Sequence, residues 1–292
     1  MAFWGWRLGW VRQLGVPPMR LAAVAAPRNQ RGKTEEPLIL ASSYPGVIPA
    51  IAMRGSPARS SSAPARRGPP ASLEELRLRA RGLGGRTVGA LAQRLGDALP
   101  TDPVHAKGFV GGLIERGLGA DPDAYDRPDF LALGVELKTV PVDAAGQPTA
   151  STFCCAIDMD GSTSVAWENA RLARKLGHVL WVPVLEDPNV SHRQIMTPLW
   201  WKPDDREWKA LRGDWEDLMG QIGAGQAAAL TAYEGVALQV RPKGRNAQSR
   251  TVVPTEDGAG WGQPLGFYLR RRFVAAVLGR LRGTQQESIS GH

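Results

Sequence analysis

The spacing of apolar residues predicts that a folded domain begins near residue 72 with an amphipathic helix. Ser72, followed three residues later by Glu75, has the pattern of a capping box at the first turn of a helix. Leu73, Leu76 and Ala80 then share one face of that helix. The cap and the apolar face together predict a helix that packs against a core.

Helical and strand-like spacings alternate along the rest of the chain. Helical spacing recurs at residues 87–95, 108–118 and 165–176, and in a long segment from Pro203 to about residue 230. Apolar strand-like runs occupy residues 131–140, 151–157, 178–184 and 236–241. We expect 151–157 to pair with 131–140, and residues 266–281 to form a short strand and a basic helix. The alternation predicts an α/β fold.

Residues 1–72 lack any persistent period, and we interpret them as a disordered or mis-annotated extension with Met53 as an alternative start. Residues 286–292 are predicted to be a flexible tail. A chain of 292 residues, of which 43% are hydrophobic, can form one or two domains. No stretch approaches the roughly 20 apolar residues of a membrane span, so we expect no membrane partner.

The net charge of +8 is misleading because of where the basic residues lie. Ten of the 36 basic residues, but only two of the 28 acidic ones, fall in residues 1–72. Within the remainder, residues 115–143 hold seven acidic residues against three basic ones, whereas residues 238–282 hold nine basic against two acidic. This polarity suits carboxylates around a metal and cations that grip phosphates. Two solvated faces of opposite charge are the alternative.

Cys154 and Cys155 are the only cysteines, and they are adjacent in an apolar run. This placement suits neither a disulfide framework nor a zinc site. A reducing cytoplasm fits such cysteines best.

Candidate catalytic chemistry lies in residues 129–138, where Asp129 precedes Glu136 by seven residues and Lys138 follows two later. On a strand, Glu136 and Lys138 point to one face while the opposite face is mostly apolar. Mg²⁺ takes oxygen ligands and usually one or two protein carboxylates, so Asp129 and Glu136 could hold it. Lys138 could then stabilise charge on a phosphate. The alternative is an edge strand with a solvated Glu/Lys pair, and the spacing alone does not decide.

The run DFLALGVELKTVPVD, residues 129–143, resembles the MutH family of mismatch-repair endonucleases, within the restriction-endonuclease-like PD-(D/E)xK superfamily. The resemblance covers about residues 73–282. Further matching segments are Lys107-Gly108, Leu113-Ile114-Glu115, Thr152-Phe153, Trp167-Glu168, residues 179–184, Asp214-Trp215-Glu216, residues 239–243, Asn246-Ala247 and residues 266–269.

The resemblance implies a restriction-endonuclease-like core, with a mixed central sheet flanked by helices, in a domain of residues 73–285. It also implies a catalytic lobe at about 73–200 and a DNA-reading lobe at about 201–285, which together form a DNA-binding cleft.

By the same resemblance, Asp129, Glu136 and Lys138 take the catalytic positions. Glu115 matches an additional acidic residue near the metal, and Lys107 and Lys175 match basic residues of the active-site cleft. For Lys175 the residues alone leave an alternative, since Arg171, Arg174 and Lys175 also form an ordinary basic helix face.

For DNA reading, the resemblance assigns Arg241 to GATC recognition and Tyr268 to sensing adenine methylation. Arg241 and Lys243 alternate at a strand end, where a guanidinium suits guanine or phosphate and an ammonium suits phosphate. Arg270 and Arg271 are either phosphate contacts or part of a solvated run. Gly244-Arg245 and a shorter connection before Tyr268 depart from the family pattern.

The resemblance therefore implies a monomeric, Mg²⁺-dependent enzyme that nicks the unmethylated strand at hemimethylated GATC in double-stranded DNA. A MutL-type partner would activate it, with MutS upstream. One alternative is a Sau3AI-type GATC restriction endonuclease, although the chain has no second, inactive copy of the domain. Another is a catalytically inactive DNA-binding module, against which the intact Asp129, Glu136 and Lys138 argue.

Overall fold

A computed structural model describes residues 67–100, 103–159, 165–230, 235–244 and 248–290. Side chains are described for these residues except at 103–107, 228 and 286–290. Most of the N-terminal extension, residues 1–66 with Met53, and residues 291–292 lie outside the described residues. Residues 245–247, which include one departure from the family pattern and one matching segment, lie outside as well.

The helices and strands follow one another in the order typical of an α/β chain. The helices are α1 (Leu73–Arg81), α2 (Val88–Leu95), α3 (Pro103–Leu118), α4 (Arg171–Leu176), α5 (Asp205–Gly223) and α6 (Arg271–Ser290). The strands are β1 (Glu136–Val142), β2 (Thr152–Ala156), β3 (Val179–Leu185), β4 (Gln194–Ile195), β5 (Leu199–Trp201), β6 (Leu238–Pro242), β7 (Thr251–Thr255), β8 (Gly258–Gly262) and β9 (Leu265–Leu269).

A mixed sheet forms the centre of the fold. β1 pairs with β3 in parallel, so that Glu136 lies opposite Val179 and Lys138 opposite Trp181. β4 and β5 both pair with β3 in antiparallel orientation. Helices flank this sheet, which confirms the predicted α/β class with a mixed sheet. A second, antiparallel sheet has the order β2-β9-β6, and β7 and β8 form a separate hairpin.

The two faces of β3 pack into two different hydrophobic cores. Leu180 and Val182 lie in a core with the apolar faces of α1, α2 and α3. Val179 and Trp181, which point the other way, pack with α4, α5, α6 and the second sheet. A strand buried on both faces has a continuous run of apolar residues, which is why the sequence predicts a strand at residues 178–184.

The predicted Ser72 cap of the first helix is confirmed, and the structure shows that Thr87 caps the second helix in the same way. The Ser72 hydroxyl accepts a hydrogen bond from the Glu75 N–H, and the Thr87 hydroxyl accepts one from the Ala90 N–H, both at 3.1 Å. The Glu75 carboxylate reaches back to the N–H of Ala71 at 2.8 Å. These bonds satisfy N–H groups that a helix start leaves unpaired.

The predicted strand at 131–140 is wrong over its first half. Leu131–Leu133 forms a turn of 3-10 helix, and Gly134 follows at φ +61°, a left-handed conformation that glycine adopts without strain. Phe130 and Val135 then exchange backbone hydrogen bonds at 2.9 and 3.3 Å across this turn. The chain therefore reverses before β1 begins at Glu136.

The predicted pairing of residues 151–157 with β1 is also wrong. β2 occupies Thr152–Ala156 as a strand, but its partner is β9. β1 consequently has β3 as its partner and lies at the edge of the mixed sheet. The pairing with β9 joins residues more than 100 positions apart, which local spacing does not reveal.

The remaining differences concern the ends of helices and short strands. α3 begins at Pro103, earlier than predicted. Residues 165–176 hold a 3-10 turn at Trp167–Asn169 and an extended Ala170 before the short α4. α5 follows a capping box formed by Asp204 and Glu207, so Pro203 precedes the helix, which ends at Gly223. β4, β5, β7 and β8 were not predicted.

α6 extends to Ser290, five residues into the segment predicted as a flexible tail. No helix in the part of the chain that the structure describes is long and apolar enough to cross a membrane.

Candidate active site

The turn before β1 brings Asp129 back to the start of that strand. Its carboxylate oxygen Oδ2 accepts a hydrogen bond from the backbone N–H of Leu137 at 2.7 Å. Leu137 lies between Glu136 and Lys138 in the chain, so Asp129 lies beside both. The reversal at Gly134, rather than the seven-residue spacing itself, produces this arrangement.

Glu136 and Lys138 form a buried ion pair at the edge of the mixed sheet. Only 2% of Glu136 and 8% of Lys138 is exposed, and Lys138 Nζ donates a short hydrogen bond to Glu136 Oε1. A solvated pair on an edge strand is therefore wrong. Buried charges persist when partners neutralise them, and here a second lysine contributes.

That second lysine is Lys175 on α4, which is 5% exposed. Its Nζ donates to Glu136 Oε2 at 3.0 Å and to the Arg127 carbonyl at 2.7 Å. Arg171 and Arg174 lie elsewhere on α4, with Arg171 paired to Asp158 at 2.5 Å. Lys175 therefore does not belong to an exposed basic face of α4. Its hydrogen bonds connect Glu136 to the loop that precedes Asp129.

Asp129 and Glu115 have raised pKa values. Burial, followed by the negative charge of Glu136, raises the pKa of Asp129 to about 7. Partial burial also raises the pKa of Glu115, although this side chain lies at an exposed rim; the Lys138 charge opposes that rise. Asp129 and Glu136 lie close together where little water reaches them. A positive charge beside them would therefore be stabilising.

Lys138 is held in its charged form. Burial is the largest single influence and disfavours the ammonium ion, but the charge of Glu136, its hydrogen bond to Lys138 and the further charge of Asp129 act together against it, and the pKa of Lys138 lies above its ordinary value. A lysine with a raised pKa carries its proton at neutral pH. In this form Lys138 can stabilise nearby negative charge, but its nitrogen has no free lone pair with which to act as a general base.

A cleft of about 460 Å³ opens over Lys138. Glu115 on α3, Arg193 and Lys243 also line it, so cations approach it from several elements. A second groove, of about 720 Å³, contains Asp129 and shares Glu115 with the first. Glu115 therefore lines both the cleft beside Lys138 and the groove beside Asp129. Lys107 belongs to α3 beside the cleft, but its side chain is outside the described residues.

The donor set of this site fits a hard divalent cation. The described residues contain no group of three or more His, Cys, Asp or Glu side chains arranged to hold a metal ion. Mg²⁺ usually binds through one or two carboxylates and keeps water in its other positions. Asp129 and Glu136 are the two carboxylates that could hold it, and a dication would relieve the repulsion that contributes to the raised pKa of Asp129.

The basic and aromatic residues predicted to read DNA meet on the second sheet. The Arg241 guanidinium lies 6.0 Å from the centre of the Tyr268 ring. Lys243 Nζ lies 4.5 Å from the centre of the Phe153 ring, which contacts Tyr268 edge-on at 5.3 Å. We call Arg241, Lys243, Tyr268 and Phe153 the reading cluster. Partial burial raises the pKa of Tyr268, so its hydroxyl is neutral at physiological pH.

Arg270 and Arg271 lie just beyond this cluster, where β9 ends and α6 begins. The sequence prediction had not included Phe153 or Arg193 among the site residues. Phe153 lies in an apolar run, which predicts a core residue, although the segment Thr152-Phe153 is one of those that match the MutH family. Arg193 follows a short turn and offers no periodic pattern, so only the three-dimensional arrangement places it in the cleft.

Comparison with known proteins identifies the family. Residues 118–214 match the family model described as "DNA mismatch repair enzyme MutH". The DNA mismatch repair proteins MutH of Salmonella paratyphi B, Salmonella newport and Salmonella typhi are each 42% identical to this chain over 219 residues. Those alignments cover 73% of the chain and 93% of each relative. The chain belongs to the MutH family of DNA mismatch repair enzymes.

Proposed function

We propose that this protein is a Mg²⁺-dependent endonuclease that nicks the unmethylated strand at hemimethylated GATC sites. The observation that carries the proposal is the position of Asp129 and Glu136 beside Lys138, which lines the cleft. An inactive DNA-binding module would not need to keep a buried carboxylate pair and a fixed cation, because such a group is costly to bury.

Catalysis would use these residues to place a phosphodiester beside a charged site. Asp129 and Glu136 would hold Mg²⁺, with Glu115 nearby. When bound, the ion supplies Lewis-acid stabilisation of charge on the phosphate. Lys138, which remains protonated, would stabilise the phosphate oxygen in the transition state. Lys175 would keep Glu136 and the preceding loop in place, and Lys107 would add positive charge to the cleft.

DNA reading would come from the reading cluster and the start of α6. Arg241 can form two parallel hydrogen bonds to a guanine edge, and Lys243 suits a phosphate. Tyr268 presents an aromatic edge that would meet or clash with an adenine methyl group. Arg270 and Arg271 would contact the phosphate backbone. In this proposal residues 73–200 form the catalytic lobe and residues 201–285 the DNA-reading lobe of one cleft.

We propose in addition that the protein acts as a monomer in the cytoplasm, and that a MutL-type partner activates it after a mismatch signal from MutS. One active site in a monomer makes one cut. The expected product is therefore a nicked circle and not linear DNA.

The test is a nicking assay on supercoiled plasmids that carry unmethylated, hemimethylated or fully methylated GATC. Each plasmid is incubated with Mg²⁺, with and without a MutL protein. Nicking of the first two and protection of the third supports the proposal. Absence of nicking under every condition would contradict the enzyme assignment, and equal cutting of fully methylated DNA would contradict methyl sensing. Efficient double-strand cutting without a partner would favour a Sau3AI-type restriction enzyme.

A further inference from the structure

A buried carboxylate outside the active site holds the start of the strand that carries Arg241. Asp214 lies on α5 and is 8% exposed. Its Oδ2 accepts hydrogen bonds from the backbone N–H groups of Val236, Ala237 and Leu238 at 2.8, 2.5 and 2.7 Å. Three successive N–H groups converge on one oxygen, which is a backbone nest for an anion. We call Asp214 and these three residues the Asp214 clamp.

Gly235 makes this convergence possible. Its φ of +80° turns the chain so that the following N–H groups face the carboxylate. A Cβ added at this position would lie 2.5 Å from the Leu238 carbonyl oxygen and 2.9 Å from Asp214 Oδ2. The clamp therefore depends on a side chain from α5 and on a glycine conformation just before β6.

α5 is itself anchored to the mixed sheet that carries Glu136. Glu207 in its first turn accepts a hydrogen bond from Trp201 Nε1 of β5 at 2.9 Å and one from Arg280 of α6 at 2.8 Å. β5 pairs with β3, and β3 pairs with β1. Contacts therefore run without interruption from β1, which carries Glu136, through β3, β5 and α5 to Leu238, the first residue of β6.

The register of β6 decides on which face of the second sheet Arg241 lies. β6 is an edge strand whose only described partner strand is β9; Gln239 and Val240 are buried, and Arg241 is the first exposed residue of the strand. A slip of one residue would turn Arg241 to the opposite face. Arg241 is three residues from Leu238, about 10 Å along an extended strand, so an anchor at Leu238 directly limits its position.

We propose that Asp214 is a positioning residue for sequence recognition, which fixes β6 so that Arg241 reaches the DNA base. This inference rests on the proposed reading function of β6. Asp214 touches neither DNA nor the reacting phosphate. Its removal should weaken recognition of the correct sequence and leave the chemical step on bound DNA nearly unchanged.

The test compares Asp214→Asn with Asp217→Asn. Asp217 is an exposed carboxylate on the same helix, so the control removes the same charge without touching the clamp. Nicking rates of GATC and altered-site plasmids are measured against DNA concentration, together with thermal unfolding. All assays are run below the unfolding temperature of each variant.

We expect Asp214→Asn to raise KM for GATC DNA and to lower discrimination against an altered site by about tenfold, the size of one lost base contact. The kcat should stay near that of Asp217→Asn. A purely structural role would lower kcat through loss of folded enzyme and leave KM and discrimination unchanged, which would overturn the inference.

Gly235→Ala disturbs the same clamp from the strand side and must produce the same split between KM and kcat. If this variant, or Asp214→Asn, discriminates as well as the wild-type protein, the inference is wrong. If the wild-type protein itself does not discriminate GATC from an altered site, the proposed function fails instead, so the two failures are distinguishable.

Discussion

The candidate catalytic cluster, which consists of Asp129, Glu136, Lys138 and Lys175, and the reading cluster place positive charge in opposite ways. Lys138 and Lys175 are buried and paired with Glu136, so their geometry is fixed by strong local electrostatics. Arg241 and Lys243 are exposed and lie over aromatic rings, which hold them without neutralising them. The first arrangement suits charge stabilisation at one fixed point, and the second leaves cations available to bind an anionic partner.

This contrast predicts that substitutions in the two clusters change different kinetic constants. A buried charge that interacts in the transition state affects kcat, whereas an exposed recognition group affects binding and discrimination.

The largest effect is expected for Asp129→Ala. This change removes one of the two carboxylates that fit the divalent ion, and we expect nicking to fall by at least about a thousandfold, as for the loss of a major electrostatic group. DNA binding should remain measurable. The control is Asp123→Ala, an exposed carboxylate of the same loop. A variant that loses folding would show that Asp129 is structural.

Lys175→Ala should have the next largest effect, and it should affect stability as well as activity. The change leaves Glu136 buried with one of its two cations, and breaking a buried pair costs about 3–5 kcal/mol. Urea unfolding measures the loss. Arg174→Ala, an exposed change on the same helix, should cost much less. Equal stability of the two variants would contradict the role assigned to Lys175.

Arg241→Lys tests the reading cluster with the charge retained. The lysine cannot form a bidentate contact, so discrimination between GATC and an altered site should fall by about tenfold, within the roughly 1–3 kcal/mol of one such pair. Turnover of bound DNA should change little. Arg206→Lys, on the exposed first turn of α5, serves as the matched control. If kcat falls instead, the two clusters do not control turnover and recognition separately.

The pH dependence of stability should reveal the raised pKa of Asp129 in metal-free protein. A carboxyl whose pKa is about 7 when folded binds a proton that the unfolded chain releases near pH 4. Its contribution to stability is therefore present below about pH 4 and is lost as pH rises toward 7. Asp129→Asn should remove this part of the slope. An unchanged slope in that variant would contradict the assigned pKa.

Local patterns in the sequence were sufficient for several elements. Ser72 and Glu75 predicted the start of α1, because a cap depends on residues only three apart, and the apolar spacing of residues 87–95 predicted α2. The apolar run of β3 was equally clear, since both faces of the strand are buried. The resemblance also placed Asp129, Glu136 and Lys138 in one site, and the structure brings these three together.

Non-local contacts account for several of the differences between prediction and structure. The pairing of β2 with β9 joins residues more than 100 positions apart, and the short strands β4 and β5 are defined by their pairing with β3. The burial of Lys175 could not be read from α4, because Arg171, Arg174 and Lys175 look alike in sequence while only Lys175 faces Glu136. The turn at Gly134 was missed for a local reason, because the apolar run that contains it has the pattern of a strand.

The most direct test measures Asp129→Asn and Arg241→Lys side by side on one hemimethylated GATC duplex with Mg²⁺, using single-turnover cleavage and equilibrium binding. The account predicts complementary results, in which Asp129→Asn binds the duplex but does not cleave it and Arg241→Lys cleaves bound duplex but binds it less selectively. Loss of the same constant in both variants would contradict the separation of catalysis from reading.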